Sequence, residues 1–580
     1  MIKFLEKNIY RRENILLSFV FFSAIIHLVC VNYNRPFQIH PDEGYIYEDP
    51  LKVLLSYCHG RFTTEWNLSM ISIVFWTPVV FIFGYVSGDW NSFENFKSAL
   101  IGEDFNVLYY YRMLSVVFLF IGNLLLYKII RKNIESFFIQ VLMLLFVLFN
   151  ALILGTNMYI KMDSIVYLAV ICSYYFLQKN YYNNNKYINP RVLPMLALLA
   201  AVRVDIAVIF GLTLLLILFD GRKQRKEVML SLKYFLFSVI IYSLITLKPL
   251  VFAYRYLHPN YIMETYNSFD NYFINYFFQN TLSNNASILL HHFFDITKGS
   301  IEILFLLCPS FLLLFLFKPR GKVGIIFFLS GIIVLILIAI IDECGDFARH
   351  RTLPYLMIYF SMLSGINFVK FTNSNKILSI ILVSLQIFPY ILLVHEIICL
   401  PNNYKKGLAN HILSNTTEND IIAHAEYGIA GYSIDILSSA SYYAEMAKAS
   451  KESGAGTGQK ALYKAMLKNV PRRTIIPVLD RHLFSETSGD PRVKNSFING
   501  KEETISKYAN RLSFTFSDCS EEFKKSKYYI SRSFDEPECL KPYFSLDKKF
   551  SPHVTLYPYG GLINNMLFKE SFYVWKNKNY

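Results

Sequence analysis

Two adjacent carboxylates in the stretch Gln38-Ile39-His40-Pro41-Asp42-Glu43-Gly44-Tyr45 are the groups of this chain best suited to moving a proton. An acid near a low-dielectric surface and beside a second acid resists ionisation, which raises its pKa toward the range of a useful base. The stretch directly follows an apolar run, residues 15–33, that is long enough to cross a bilayer. Pro41 removes a backbone donor and disfavours helix at His40, so Asp42 and Glu43 are expected on an irregular turn at the membrane surface. A solvated loop is the plainer reading of an acid pair, and the other charged residues of the chain weigh against it.

A second acidic turn, Asn157-Met158-Tyr159-Ile160-Lys161-Met162-Asp163, follows a later apolar run. Asp163 reads equally as a catalytic acid and as the N-cap of the helix that Ser164 continues. In Val202-Arg203-Val204-Asp205, Arg203 and Asp205 interrupt apolar sequence and are expected to face the protein interior, because neither is stable against lipid. A late turn, residues 342–351, ends in Arg349, His350 and Arg351. Guanidinium forks pair bidentately with phosphate oxygens, and His350, Lys248 and Arg203 are further donors to the same group. The polar, aromatic-rich stretch after Lys248 reads as a lid or substrate loop, with His258, His291 and His292 as contacts and Tyr45 alongside them.

One base and several cations suit a transfer from a phosphate leaving group. The departing phosphate is already a stable anion, so no strong acid and no cofactor is required, and direct displacement would invert the reacting carbon. A divalent metal stays open, with His40, Asp42 and Asp163 as its candidates and His291 and His292 of suitable type. Each histidine also has a plain role as a hydrogen-bonding group in an aromatic-rich loop. No Cys/His spacing in the chain would hold zinc, and only Cys519 and Cys539, in the polar C-terminal region, read as a disulfide pair.

The elements that must carry these residues follow from composition. The chain has 580 residues, 54% hydrophobic and only 17% charged, which points to an α-helical polytopic membrane protein rather than a soluble one. Its net charge of +14 lies in short basic clusters between apolar runs, so it sets topology and does not imply nucleic acid. Residues 70–85 read as a surface-lying or re-entrant helix, because a crossing there would put Lys128, Arg131 and Lys132 outside. Crossings are expected at 15–33, 107–130, 137–155, 164–177, 192–219 as two short helices, 232–250, 301–317, 323–341, 353–371 and 377–399. That makes about eleven transmembrane helices, with the N-terminus inside. Residues 1–400 would form the membrane domain, and residues 401–580 an extracytoplasmic soluble domain of α/β or α+β class, with strands at 421–424 and 474–479 and a helix at 440–451. The glycine-rich stretch 453–460 lacks the order of a phosphate loop and reads as a flexible loop.

The outward Asp-Glu turn after the first span, the surface helix, the second acidic turn, the late arginine turn and the terminal outer domain together resemble the GT-C superfamily. These are integral-membrane glycosyltransferases that use polyprenyl-phosphate sugars. His40-Pro41-Asp42-Glu43 is similar to the HPDE motif of the dolichol-dependent mannosyltransferases. Arg349-His350-Arg351-Thr352-Leu353-Pro354 resembles the arginine-leucine-proline motif of the protein mannosyltransferase and lipid A aminoarabinose transferase branches. The likeness spans roughly residues 10–400, and it departs at Arg203, where many relatives carry a lysine and no nearby acid. It implies an undecaprenyl-, decaprenyl- or dolichyl-phosphate sugar donor, a glycan, lipid or protein acceptor, and contact with membrane lipid. The Asn, Lys, Ile and Tyr bias favours a bacterium, and with the outward turns the resemblance implies a bacterial inner (cytoplasmic) membrane with the site facing the periplasm or exterior. A membrane transporter or lipid-linked-glycan flippase is the competing class, since broken helices and buried charges occur there too. A receptor-like binding protein would leave the acidic and basic turns unexplained.

Overall fold

The structure is a computed structural model that describes residues 9–32, 68–98, 106–158, 163–182, 187–203, 206–221, 225–246, 303, 305–341, 347–366, 372–399, 403–417, 420–425, 474–479, 515–516, 524–531, 541–551, 559, 562–563 and 571–580. Long apolar runs form helices, the conformation that satisfies their backbone groups without water. In chain order they are α1 (Ile9–Cys30), α2 (Leu68–Ser87), α3 (Phe93–Ser98), α4 (Asn106–Asn133), α5 (Phe137–Leu148), α6 (Ala151–Asn157) and α7 (Asp163–Lys179). A short antiparallel pair, β1 (Tyr181–Tyr182) and β2 (Tyr187–Ile188), precedes α8 (Leu193–Ala200), α9 (Ala207–Gly221) and α10 (Arg225–Thr246). Then come α11 (Gly321–Ile341), α12 (Phe347–Gly365), α13 (Asn373–Cys399) and α14 (Asn403–Asn415). Among the described residues four helices are long and apolar enough to cross a membrane, within α1, α4, α10 and α13, and the bent pair α5–α6 brings the number to five. Helices of that length and hydropathy make this an integral membrane protein.

The chain divides into two compact units. The first comprises α1, α2 as far as Ser72, and the chain from Met113 to His395. Its α11 and α12 pack closely where α11 carries glycine: a side chain at Gly331 would meet the Pro354 carbonyl, and one at Gly324 would strike the Ser364 hydroxyl. Small residues of this kind let two helices approach closely. Aromatic rings extend the core, with Tyr174 against Phe360 at 4.7 Å and Phe146 against Tyr359 at 4.8 Å between centroids.

Three expectations change in this unit. The single span expected at 137–155 is two helices bent by 42°, because Asn150 ends one and caps the next, accepting from Leu152 N at 2.9 Å and Ile153 N at 3.3 Å. The span expected at 301–317 instead contains a 3-10 helix, Pro309–Phe315, since Pro309 has no N–H with which to continue an α-helix. Arg349, His350 and Arg351 are not on a turn: α12 begins at Phe347, so their backbone lies in its first turns. Pro354 lies inside α12, two turns from its start, where it has no N–H to give the carbonyl four residues back. The break expected near 202–205 is present, with α8 ending at Ala200 and α9 starting at Ala207.

The second unit comprises Ile73–Arg112 and the chain from Glu396. In its first part Trp90 folds back on α2, donating to the Phe81 carbonyl at 2.8 Å and filling the space a side chain at Gly84 would need. Gly88 makes the return turn at φ +81°, a conformation open to glycine at no steric cost. In its second part a six-stranded sheet has the order β5-β4-β3-β6-β8-β7. The strands are β3 (Ile421–Ala425), β4 (Thr474–Leu479), β5 (Thr515–Phe516), β6 (Tyr528–Ser531), β7 (Phe544–Phe550) and β8 (Phe572–Asn577). β3 runs parallel to β4 and β6, and β8 and β7 close that side antiparallel, a mixed sheet. Leu408 and Ile412 of α14 join Ile422, Tyr528, Ile530, Phe550, Phe572 and Val574 in its core. The edge strand β7 exposes Lys548 and Lys549, which discourages pairing with other chains. Before β3, the Thr417 backbone N–H and the Lys527 ammonium both donate to Asp420, and they hold its carboxyl below the ordinary 3.8. The expected helix at 440–451, the loop 453–460, Cys519 and Cys539 lie outside the described residues.

Candidate functional site

The break between α5 and α6 sets the site. A membrane helix that breaks must find other donors for the carbonyls it releases. Gln386 of α13 donates from Nε2 to the Phe146 carbonyl at 2.5 Å, and within α5 Tyr359 of α12 adds a bond to the Met143 carbonyl at 2.7 Å. Ser23 of α1 reaches the Leu148 carbonyl at 3.4 Å, and the side chain of Asn150 lies 3.4 Å from Cys308 Sγ. At the far end of α6 the His27 ring bonds the carbonyl of Asn157 at 2.8 Å, and the hydroxyls of Thr352 and Thr156 meet at 3.3 Å. Helices α1, α6 and α12 are thus tied together by side chains at one junction.

The next described element after that junction is α7. Asp163 is the first residue of α7, where a negative charge suits the helix N-terminus. It is buried, at 7% exposure, and accepts from Arg203 Nη1 at 2.8 Å. The side chains of the pair are 17% and 6% exposed for Arg203 and Asp163, far less than a surface ion pair. Arg203 reaches it from the gap between α8 and α9, where Leu68 N, at the start of α2, also closes the end of α8 by donating to the Ala201 carbonyl at 3.1 Å. Arg203 and Asp163 therefore form an ion pair at the break between α8 and α9.

This arrangement brings together two of the sequence-predicted residues. The expectation that Arg203 turns inward is met, and Asp163 explains why a cation is stable there. Asp163 fits a metal poorly, since a guanidinium on Oδ1 already supplies the positive charge that a divalent ion would bring. Among the described residues no group of three or more His, Cys, Asp or Glu side chains comes together in a form that could hold a metal. Arg349, His350 and Arg351 are described as helical backbone only, and Arg351 directly precedes Thr352 of the junction. His40, Asp42, Glu43, Tyr45, Asp205, Lys248, His258, His291 and His292 lie outside the described residues.

Sequence reading passed over His27, Asn150, Asn157 and Gln386. His27 carried a signal: an ionisable side chain inside an apolar span seldom lacks a partner or a role. Asn150 carried a weaker one, a capping residue in the middle of an apolar run.

No family model matches this chain, and no curated protein matches it. Among solved structures it is similar to the crystal structure of ArnT from Cupriavidus metallidurans bound to undecaprenyl phosphate. The identity is 12% and the TM-score 0.43, with 97% of this chain and 98% of that chain covered.

Proposed function

We propose that this chain is a GT-C-type glycosyltransferase of a bacterial cytoplasmic membrane, moving a sugar from a polyprenyl-phosphate donor to an acceptor hydroxyl at the outer face. The observation that carries the reading is the junction at the end of α6. His27 belongs to the helix that leads to Asp42 and Glu43, Thr156 and Asn157 lead to the Asp163–Arg203 pair, and Thr352 follows Arg349, His350 and Arg351. Tied helices of this kind support a single site assembled from sequence-distant acids and cations, as transfer of a sugar away from a phosphate leaving group requires.

In the proposed step Asp42 takes the proton of the acceptor hydroxyl while its oxygen attacks the anomeric carbon. The bond from that carbon to the phosphate oxygen breaks, and the lipid phosphate leaves with the electron pair. Arg349 and Arg351 receive the phosphate, with His350 and Lys248 as further donors. Asp163 is committed to Arg203, so its part is to hold that cation near the leaving group while Asp42 acts as base. Glu43 sits beside the base, and Tyr45, His258, His291 and His292 contact the sugar and acceptor. The step needs no metal or other cofactor.

The test uses the purified full-length chain in lipid nanodiscs, a panel of radiolabelled polyprenyl-phosphate sugars and a membrane extract as acceptor. One donor should lose its label to an acceptor, and Asp42→Asn should bind that donor while losing turnover by about two to four powers of ten. Near-normal turnover in Asp42→Asn removes Asp42 as the base. Movement of a lipid-linked sugar between leaflets without any new glycosidic bond would make the protein a flippase instead.

A further inference from the structure

His27 lies in the membrane-crossing helix α1, is 1% exposed and belongs to none of the roles assigned above. A carbonyl oxygen only accepts, so the 2.8 Å contact with Asn157 O requires the proton on Nε2. In a neutral ring the other nitrogen is then an acceptor. Nδ1 is buried and meets no donor among the described residues, and neither does Asn157 Oδ1 at the same junction. An acceptor left without a donor in a low-dielectric interior is costly, so a donor from outside the chain is called for.

Room for one exists. A cavity of about 10 Å³ adjoins the break between α5 and α6, lined by His27, Ser23, Asn123 and Tyr390 together with aliphatic side chains. That is about the smallest cavity that holds a single water, and the lining supplies polar partners for it. A water suits the site better than a metal ion, because none of these side chains carries a negative charge to offset one.

We propose that His27 is a positioning residue for the Asp163–Arg203 pair: its Nε2–H bond to Asn157 anchors the last turn of α6, and one buried water donating to Nδ1 fixes the tautomer that makes this bond. The functional meaning of that anchoring rests on the transferase reading, but the anchoring itself does not. Without the bond the end of α6 loses its tie to α1, and α7, which follows it in the chain and starts at Asp163, loses that anchor.

The experiment measures the coupling between Asp163 and Arg203 from the melting temperatures of Asp163→Asn, Arg203→Gln and the double variant, all in full-length protein in nanodiscs. It is repeated in two backgrounds. His27→Gln keeps a side-chain N–H at a similar reach and should retain at least two thirds of the coupling. His27→Phe keeps the volume without the donor and should lose at least half. Full coupling in a folded His27→Phe, or equal loss in both backgrounds, overturns the proposal. Should His27→Phe fail to insert, ¹⁵N NMR of the histidine-labelled wild type decides, with the His27 signals identified by their loss in His27→Gln. An unprotonated Nδ1 with a cross-peak to water is expected, and a protonated Nδ1 overturns it. Neither readout involves a sugar donor, so a chain that passes both yet transfers nothing refutes the transferase reading alone. An active transferase that fails both refutes only the role of His27.

Discussion

Breaking the Arg203–Asp163 pair is the sharpest perturbation available within the described residues. At 2.8 Å the contact is one charge-assisted hydrogen bond, a class that contributes about 1.5 to 3 kcal/mol. If the pair were solvent-exposed, water and side-chain entropy would reduce its net worth to about 0 to 1 kcal/mol. With side-chain exposures of only 17% and 6%, removing one partner leaves the other charge poorly solvated, which costs about 3 to 5 kcal/mol for a fully buried pair. Arg203 is slightly more open than that limit, so Arg203→Gln should cost about 2 to 4 kcal/mol. Asp163→Asn should cost somewhat less, because an amide can still accept from the guanidinium. The double variant should cost less than the sum of the two, giving a coupling of about 1.5 to 3 kcal/mol. Thermal or denaturant unfolding of the four proteins in one nanodisc lipid measures it. A coupling within about 0.5 kcal/mol of zero is what independent sites give, and it would refute the claim that the two residues form one unit.

Two further outcomes are expected. Arg351→Ala should weaken lipid-phosphate donor binding at least about tenfold, the loss of one charge-assisted bond, and Arg351→Lys should restore it only in part because an ammonium lacks the planar fork. A large fall in melting temperature with unchanged donor affinity would make Arg351 structural. In the C-terminal sheet, Asp420 has a folded pKa below the ordinary 3.8, so its carboxylate stabilises the unit above the unfolded value and that contribution disappears as pH falls through the folded one. The melting-temperature gap between wild type and Asp420→Asn should therefore be full at neutral pH and close progressively below about pH 4. A gap that stays constant down to the acid transition would show that the Thr417 and Lys527 bonds do not favour the ionised form.

The sequence by itself determined that this is a helical membrane protein, and it located most of its helices, because a bilayer demands long apolar runs and those are visible in one dimension. It also showed that Arg203 must turn inward and that the chain breaks beside it, since an arginine facing lipid is too costly. It read the bent pair α5–α6 as one unbroken run. Hydropathy counts apolar residues, whereas the bend depends on donors supplied by Gln386 and Ser23, which lie far away in the chain. Likewise Arg349 and Arg351 read as a turn because they are charged, while the backbone there follows the helix that packs against α11. Only the tertiary structure decided that Asp163 partners Arg203 across forty positions and that His27 meets Asn157 across 130. Such pairings depend on which helix faces which, and hydrophobic periodicity leaves that undetermined wherever a helix is apolar all round and its lipid-facing and protein-facing sides look alike.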